Sequence, residues 1–191
     1  MVISFILPPA DYQISTWSGG QTTQLFLSPE GGSYPDRTFD FRLSTATVEV
    51  EKSNFTDLTG YHRILMPLNA SIRLTHHHKE VVLNPFQSYF FDGEILYLAK
   101  GLVKTLFDLQ TFLSGAYECY IPKRECQSQS RYQLIYALCP LTLEWGNNHS
   151  QTLQTHELLV IEQASPLQEM TITFLPHQSG EQPIAIWTGL Q

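Results

Sequence analysis

The sequence predicts an all-β protein, built as a double-sheet jelly roll with two β-barrel or sandwich halves in one chain. Three observations point there. No segment keeps apolar residues at a 3.6-residue spacing for three turns, so no helix is placed, with a short one near the linker the open alternative. Short runs rich in β-branched and aromatic residues recur throughout, each bounded by Gly, Pro, Asn or Asp, which is the spacing of sandwiches and barrels. Charged residues are only 15% of the 191, against 42% hydrophobic, so the strand faces that meet water are expected to carry Thr, Gln and Ser.

In order, the first half offers strands "TTQLFLS" (22–28), "FDFRLSTATVEVE" (39–51), "RILMPL" (63–68), "SIRLT" (71–75), "EVVLN" (80–84), "SYFF" (88–91), "ILYLA" (95–99) and "VKTLFDLQTFL" (103–113). The loop from Pro29 to Pro35 carries a Gly pair, and "FDGE" (91–94) reads as a tight turn. The second half offers "RYQLIYALC" (131–139), "LTLEW" (141–145), "QTLQT" (151–155), "LLVIE" (158–162), "MTITFL" (170–175) and "PIAIWTG" (183–189), with a hairpin turn at "GNNHS" (146–150). The quieter stretch 114–130 divides them. The expected organisation is therefore an N-terminal barrel over 1–113 carrying the pocket, a linker or crossover over 114–130, and a C-terminal half over 131–191 packed with it as one unit.

Charge and composition narrow the function. A net charge of −7 with no basic run argues against nucleic acid and against an anionic membrane surface, since both select positive surfaces. No apolar run approaches the ~18–20 residues of a membrane helix. The N-terminal "MVISFILPPADY" lacks a basic start and a small-residue cleavage site, so no secretory leader is expected. Cys119, Cys126 and Cys139 are an odd set without a CxxC, which reads as reduced thiols and a cytoplasmic setting. The oligomeric state stays open, a homodimer included.

The most informative strand is "FRLSTATVEVE". Side chains alternate faces along it. Glu49 and Glu51 must reach water, so Val48 and Val50 point inward, and the alternation carries Arg42 and Ser44 inward with them. A buried guanidinium needs a partner. That partner is either a protein carboxylate or an anionic ligand, whose carboxylate would suit the planar fork of arginine. Asp108, on a face with Leu106 and Phe112, and Arg63 are two further charges in apolar settings. Asp108 either neutralises one arginine or accepts a donor from a ligand. In "STWSGGQTTQL" (15–25) the Gly pair either makes a simple turn or exposes N–H groups to an oxyanion.

The triple histidine "HHH" (76–78) raises a metal site of the cupin kind, in which His-x-His is followed by a Glu and a later His on another strand. His76, His78 and Glu80 have part of that pattern. The run is polar, lies between two five-residue strands, and is followed by no third histidine in "FQSYFFDGEILYLAK". It reads as the tip of a hairpin, and no metal or cofactor is expected. Neither a GxSxG elbow nor an HExxH motif occurs.

Together these motifs resemble the HutD/Ves family. The residues that carry the resemblance are Trp17, Gly19, Gly20 and Thr22, then Phe41-Arg42-Leu43-Ser44, then Phe55-Thr56, then Gly60 to Arg63. It runs well over about 14–113 and continues through "FFDGE" and "LFDLQTF". It implies a cupin fold with two cupin-like barrels and a ligand pocket in the first, lined by Trp17, Gly19, Gly20, Thr22, Arg42, Ser44, Arg63 and Asp108. It also implies a small anionic metabolite such as formylglutamate, a modulating role in histidine utilisation, and no established catalysis. The enzyme alternative is a cupin isomerase or hydrolase with Asp108 as general acid or base. Two departures stand out: Ser18 replaces the family's frequent Asn, and Asp108-Leu109-Gln110-Thr111-Phe112 replaces Asp-Phe-Asn-x-Met.

Overall fold

The computed structural model describes the chain except residues 77–78, 94–97, 101–104, 113–116, 122–123, 147, 165–166 and 181. Strands β1 to β6 are Val2–Leu7, Gln13–Trp17, Gly20–Ser28, Phe41–Val48, Lys52–Asn54 and His62–Pro67. Strands β7 to β11 are Ile72–His76, Lys79–Leu83, Tyr89–Asp92, Leu98–Lys100 and Leu106–Thr111. Strands β12 to β19 are Tyr117–Tyr120, Glu125–Ser128, Tyr132–Ala137, Leu141–Trp145, His149–Leu153, Leu158–Gln163, Met170–Pro176 and Ala185–Leu190. The one helical turn among the described residues is a 3-10 turn at Pro9–Asp11. No helix among them is long and apolar enough to cross a membrane.

The chain divides into two compact units, Tyr12–Leu113 and Met1–Asp11 together with Ser114–Gln191. The first eleven residues thus depart from the expected N-terminal half. β1 pairs antiparallel with β17, from Val2 opposite Gln163 to Leu7 opposite Leu158. The stretch 114–130 is also more than a crossover, because β12 pairs with β19 and β13 with β18.

In the unit of Tyr12–Leu113 a six-stranded sheet of order β2-β3-β4-β11-β6-β9 accompanies a four-stranded sheet of order β5-β10-β7-β8. In the other unit the sheets run β1-β17-β14-β19-β12 and β13-β18-β15-β16. The interior of this second unit is mostly apolar, with Gln133, Gln163 and Thr188 as buried polar exceptions. Ile135, Leu141, Leu143, Leu159, Ile172, Phe174 and Trp187 form one buried cluster. Each such side chain contributes about 1.5–3 kcal/mol when fully buried. Cys119 and Cys126 are buried free thiols, and burial pushes both up to about 12. They are therefore protonated and poor nucleophiles at neutral pH.

The apolar filling of the unit of Tyr12–Leu113 is only partial. Leu65, Ile72, Leu74, Leu83, Phe91 and Leu106 cluster on one side, and Phe39, Leu58 and Tyr61 on another. Strand β4 departs from the expected one-sided burial. Arg42 and Ser44 are buried, but so are Phe41 and Leu43 on the opposite face. The strand ends at Val48, so Glu49 to Glu51 lie beyond it. β7 and β8 form an antiparallel pair in register to His76 opposite Lys79. The expected hairpin tip at His77 and His78 lies outside the described residues, as do 95–97 of the expected strand 95–99.

A buried arginine cavity

Register places the polar residues of the six-stranded sheet beside one another. Across β4, β11 and β6, Arg42 lies opposite Gln110, and Gln110 opposite Arg63. Two pairs further along, Ser44 lies opposite Asp108. Directly opposed residues share a face, and so do residues two apart on one strand. Arg42, Ser44, Arg63, Asp108 and Gln110 therefore converge on one side of the sheet. They line a cavity of about 330 Å³. Ala46 and Val48 of β4, Trp17, Thr22 and Ser15 from β2 and β3, Tyr34 from the loop after β3, and Ser53, Asn54, Phe55 and Thr56 from β5 and the segment after it also line it.

The two arginines have different partners. Arg63, 3% exposed, donates from Nε to Asp108 Oδ1 at 3.3 Å and from Nη2 to Asp108 Oδ2. Its Nη1 donates to the Thr56 carbonyl at 3.3 Å, and the rings of Phe55 and Phe91 flank it at 5.1 and 5.5 Å. This two-pronged pair is the geometry in which arginine and carboxylate bind most strongly. Arg42, 5% exposed, has no carboxylate of its own among the described residues. Its Nε donates to Gln24 Oε1 at 2.8 Å and its Nη1 to Gln110 Oε1 at 3.4 Å. The Tyr34 ring lies 4.1 Å from its guanidinium carbon, a cation–π contact. Burial pushes the Arg42 pKa down, and Asp108 acts against that shift.

Gln110 links the two halves. Its Nε2 donates to Asp108 Oδ2 at 2.8 Å while its Oε1 accepts from Arg42, which fixes the amide orientation. Ser44 Oγ donates to the Asp108 carbonyl at 3.5 Å. A β-bulge in β3 between Gln24 and Phe26 explains how Gln24 reaches Arg42. Gln24 opposes Ser44, Phe26 opposes Leu43, and Leu25 is the extra residue. The bulge restores Leu27 to the Arg42 side while the Phe26 ring meets that of Phe41 on the other, tilted at 5.6 Å.

Of the residues singled out in the sequence, Trp17, Thr22, Arg42, Ser44, Arg63 and Asp108 line the cavity. Gly19 and Gly20 are buried but do not line it. They shape the β2–β3 turn instead. A Cβ on Gly19 would sit 2.0 Å from the Trp17 ring, and one on Gly20, where φ is +150°, would sit 1.9 Å from the Thr47 carbonyl oxygen. Gly20→Ala is expected to cost about 1–3 kcal/mol, the scale of overpacking, read as a lower thermal midpoint. Gly19→Ala is expected to displace Trp17 and shift tryptophan emission. Ser18 is exposed and absent from the cavity wall. Phe112, expected beside Asp108, is 61% exposed and lies past the end of β11.

Gln24, Tyr34, Gln110, Ser53 and Asn54 were not anticipated as site residues. Gln110 had a usable signal, because it stands two residues from Asp108 on the same strand face. The cavity lining holds, among the described residues, no histidine or cysteine and a single carboxylate. Among the described residues, no cluster of three His, Cys, Asp or Glu side chains is placed to hold a metal ion.

Fold and cavity define an all-β protein of the cupin-like class, with a polar, arginine-bearing cavity in one of its two units. The chain belongs to the HutD family, whose model matches residues 9–175. A conserved protein of unknown function from Pseudomonas aeruginosa PAO1 is similar at TM-score 0.80 and 22% identity, over 97% of each chain. HutD from Pseudomonas fluorescens SBW25 is similar at TM-score 0.75 and 17% identity, over 98% of this chain and 97% of that one. Protein Ylba from E. coli follows at 0.62 and 9%, over 97% and 90%. At these identities the likeness is one of fold. No curated protein matches the sequence.

Proposed function

We propose that this protein binds a small carboxylate metabolite, formylglutamate-like in kind, in a metal-free cavity, and serves as a regulatory ligand-binding protein in histidine utilisation or related metabolism. The two compact units are read as two cupin-like halves, of which the first binds ligand and acts in the cytoplasm. One observation carries the reading: Arg42 is buried with only neutral amide partners, while the cavity's one carboxylate is occupied by Arg63. A buried, uncompensated guanidinium is costly, and a ligand carboxylate removes the cost. The cavity volume of about 330 Å³ equals roughly eleven liquid-water volumes, the size of a small metabolite. The Thr22 hydroxyl supplies a further donor, the Ser44 oxygen, whose hydrogen goes to the Asp108 carbonyl, an acceptor, and Trp17 an apolar wall. Asp108 is a poor general acid or base here, since both its oxygens accept hydrogen bonds from Arg63 or Gln110.

Calorimetric titration with a panel of small mono- and dicarboxylates tests the reading. At least one compound is expected to bind wild type, with Arg42→Ala weakening it by about 2–5 kcal/mol, the usual loss when one partner of a buried charged pair is removed. If no carboxylate binds wild type more tightly than Arg42→Ala, the reading is wrong.

A further inference from the structure

The charges around the cavity allow a sharper statement about its ligand. Among the described residues the lining holds two guanidinium groups and one carboxylate, and Asp108 is taken by Arg63. One positive charge remains, on Arg42. Arg37 stands nearby, 5.1 Å from the centre of the Tyr34 ring, which also makes a cation–π contact with Arg42. It offers no second anchor inside. It is exposed, does not line the cavity, and spends its donors on the Tyr34 and Asp57 carbonyls.

The geometry of Arg42 also points to one carboxylate. A guanidinium has five N–H donors. Two of Arg42's are used among the described residues, Nε on Gln24 and one from Nη1 on Gln110. The end formed by Nη1 and Nη2 keeps a donor on each nitrogen. That end matches the two oxygens of a single carboxylate.

The rest of the wall is neutral. β5, in the four-stranded sheet, contributes Ser53 and Asn54, and β2 contributes Ser15. Ser53 is only 9% exposed and lines the cavity, so its hydroxyl offers a neutral donor and acceptor there, with no cation beside it among the described residues. A second ligand carboxylate placed there would be buried and uncompensated, in the same enclosure as Asp108.

We propose that the cavity selects a mono-anion: one carboxylate held by Arg42, on a ligand whose other polar end is a neutral amide or hydroxyl group. Of the two carboxylates on a formylglutamate-like compound, this chain meets only one inside the cavity. The inference rests on the carboxylate reading above and narrows it.

The test is calorimetry on the whole chain at pH 7 with matched pairs, glutarate against glutaramate and succinate against succinamate. The members of a pair share length and differ only in whether the second end is charged. The mono-amide is expected to bind at least tenfold more tightly in a pair that binds. A dicarboxylate that binds equally or more tightly, with Arg42→Ala still abolishing the binding, overturns the selectivity and leaves the carboxylate reading standing. If neither member of any pair binds, and the wider panel also fails, both fall together.

Discussion

Gln24→Glu is expected to silence anion binding and leave the protein folded. Gln24 Oε1 accepts the Arg42 Nε–H at 2.8 Å. Glutamate keeps that acceptor in nearly the same shape and adds a negative charge beside the cavity guanidinium that lacks a carboxylate among the described residues. The protein then carries its own occupant. Two unit charges 4 Å apart attract by about 4 kcal/mol at an effective dielectric of 20. A ligand carboxylate would meet a neutral pair in place of a cation, so a loss of about a hundredfold in affinity is expected, about 2.8 kcal/mol. The substitution gives up only the exposed Gln24 Nε2 donation to Gln13 Oε1 at 3.2 Å. Stability should stay level or rise, because Arg42 gains a charged partner. Calorimetry and thermal melting on the same preparation check both halves. Unchanged affinity would mean that the charge of Arg42 is not what holds the ligand. A large drop in melting temperature would mean that the loss of binding reports unfolding.

How far this site was legible in the sequence follows from what alternation can and cannot see. The acidic end of "FRLSTATVEVE" fixed one face as wet, and a period of two then carried Arg42 and Ser44 inward, where both are buried. The same reasoning left Phe41 and Leu43 on the wet face, yet neither is exposed at all. Alternation identifies the two faces of a strand; it does not reveal that both are covered. Gln24 reaches Arg42 through a bulge that shifts the register of β3, and a strict period of two skips over such an insertion. Tyr34 comes from the loop after β3, and its place over Arg42 depends on Phe39 and Tyr61, which stack at 4.5 Å beneath it. β12 and β13 are four residues each, and their partners lie far along the chain: Tyr117 opposes Leu190, and Glu125 opposes Thr173. Short polar runs such as "YECY" and "ECQS" become strands because those distant edges are waiting, which local pattern does not record. Glycine conformation, by contrast, was informative without being functional. The Gly19-Gly20 pair marked a close approach, but of Trp17 and the Thr47 backbone.

Asp108→Asn is expected to be the most destabilising single change in the cavity, by about 3–5 kcal/mol, the usual cost of removing one partner from a buried ion pair. The amide keeps the shape and loses the charge. Arg63 would then be a guanidinium 3% exposed, with one neutral amide oxygen in place of a two-oxygen carboxylate, beside the Thr56 carbonyl and the faces of Phe55 and Phe91. Those rings sit 5.1 and 5.5 Å away and recover only part of what the carboxylate supplied. Gln110 would lose the acceptor that orients it, and with it the fixed oxygen that receives Arg42 Nη1–H. The cavity would also hold two unmatched cations, so the fold itself would select for anions. The double variant Arg63→Met, Asp108→Leu separates charge from packing. Removing both partners together leaves no orphaned charge, and well-packed apolar residues replace buried ion pairs at little cost or at a gain. Urea unfolding should therefore place the double variant above the single, with a coupling of several kcal/mol and no change in m-value. Adding a carboxylate ligand should stabilise Asp108→Asn more than wild type, because the ligand then serves two arginines. A single variant that unfolds within 1 kcal/mol of wild type would show that Arg63 does not depend on Asp108, and the charge count on which the mono-anion selectivity stands would have to be redrawn.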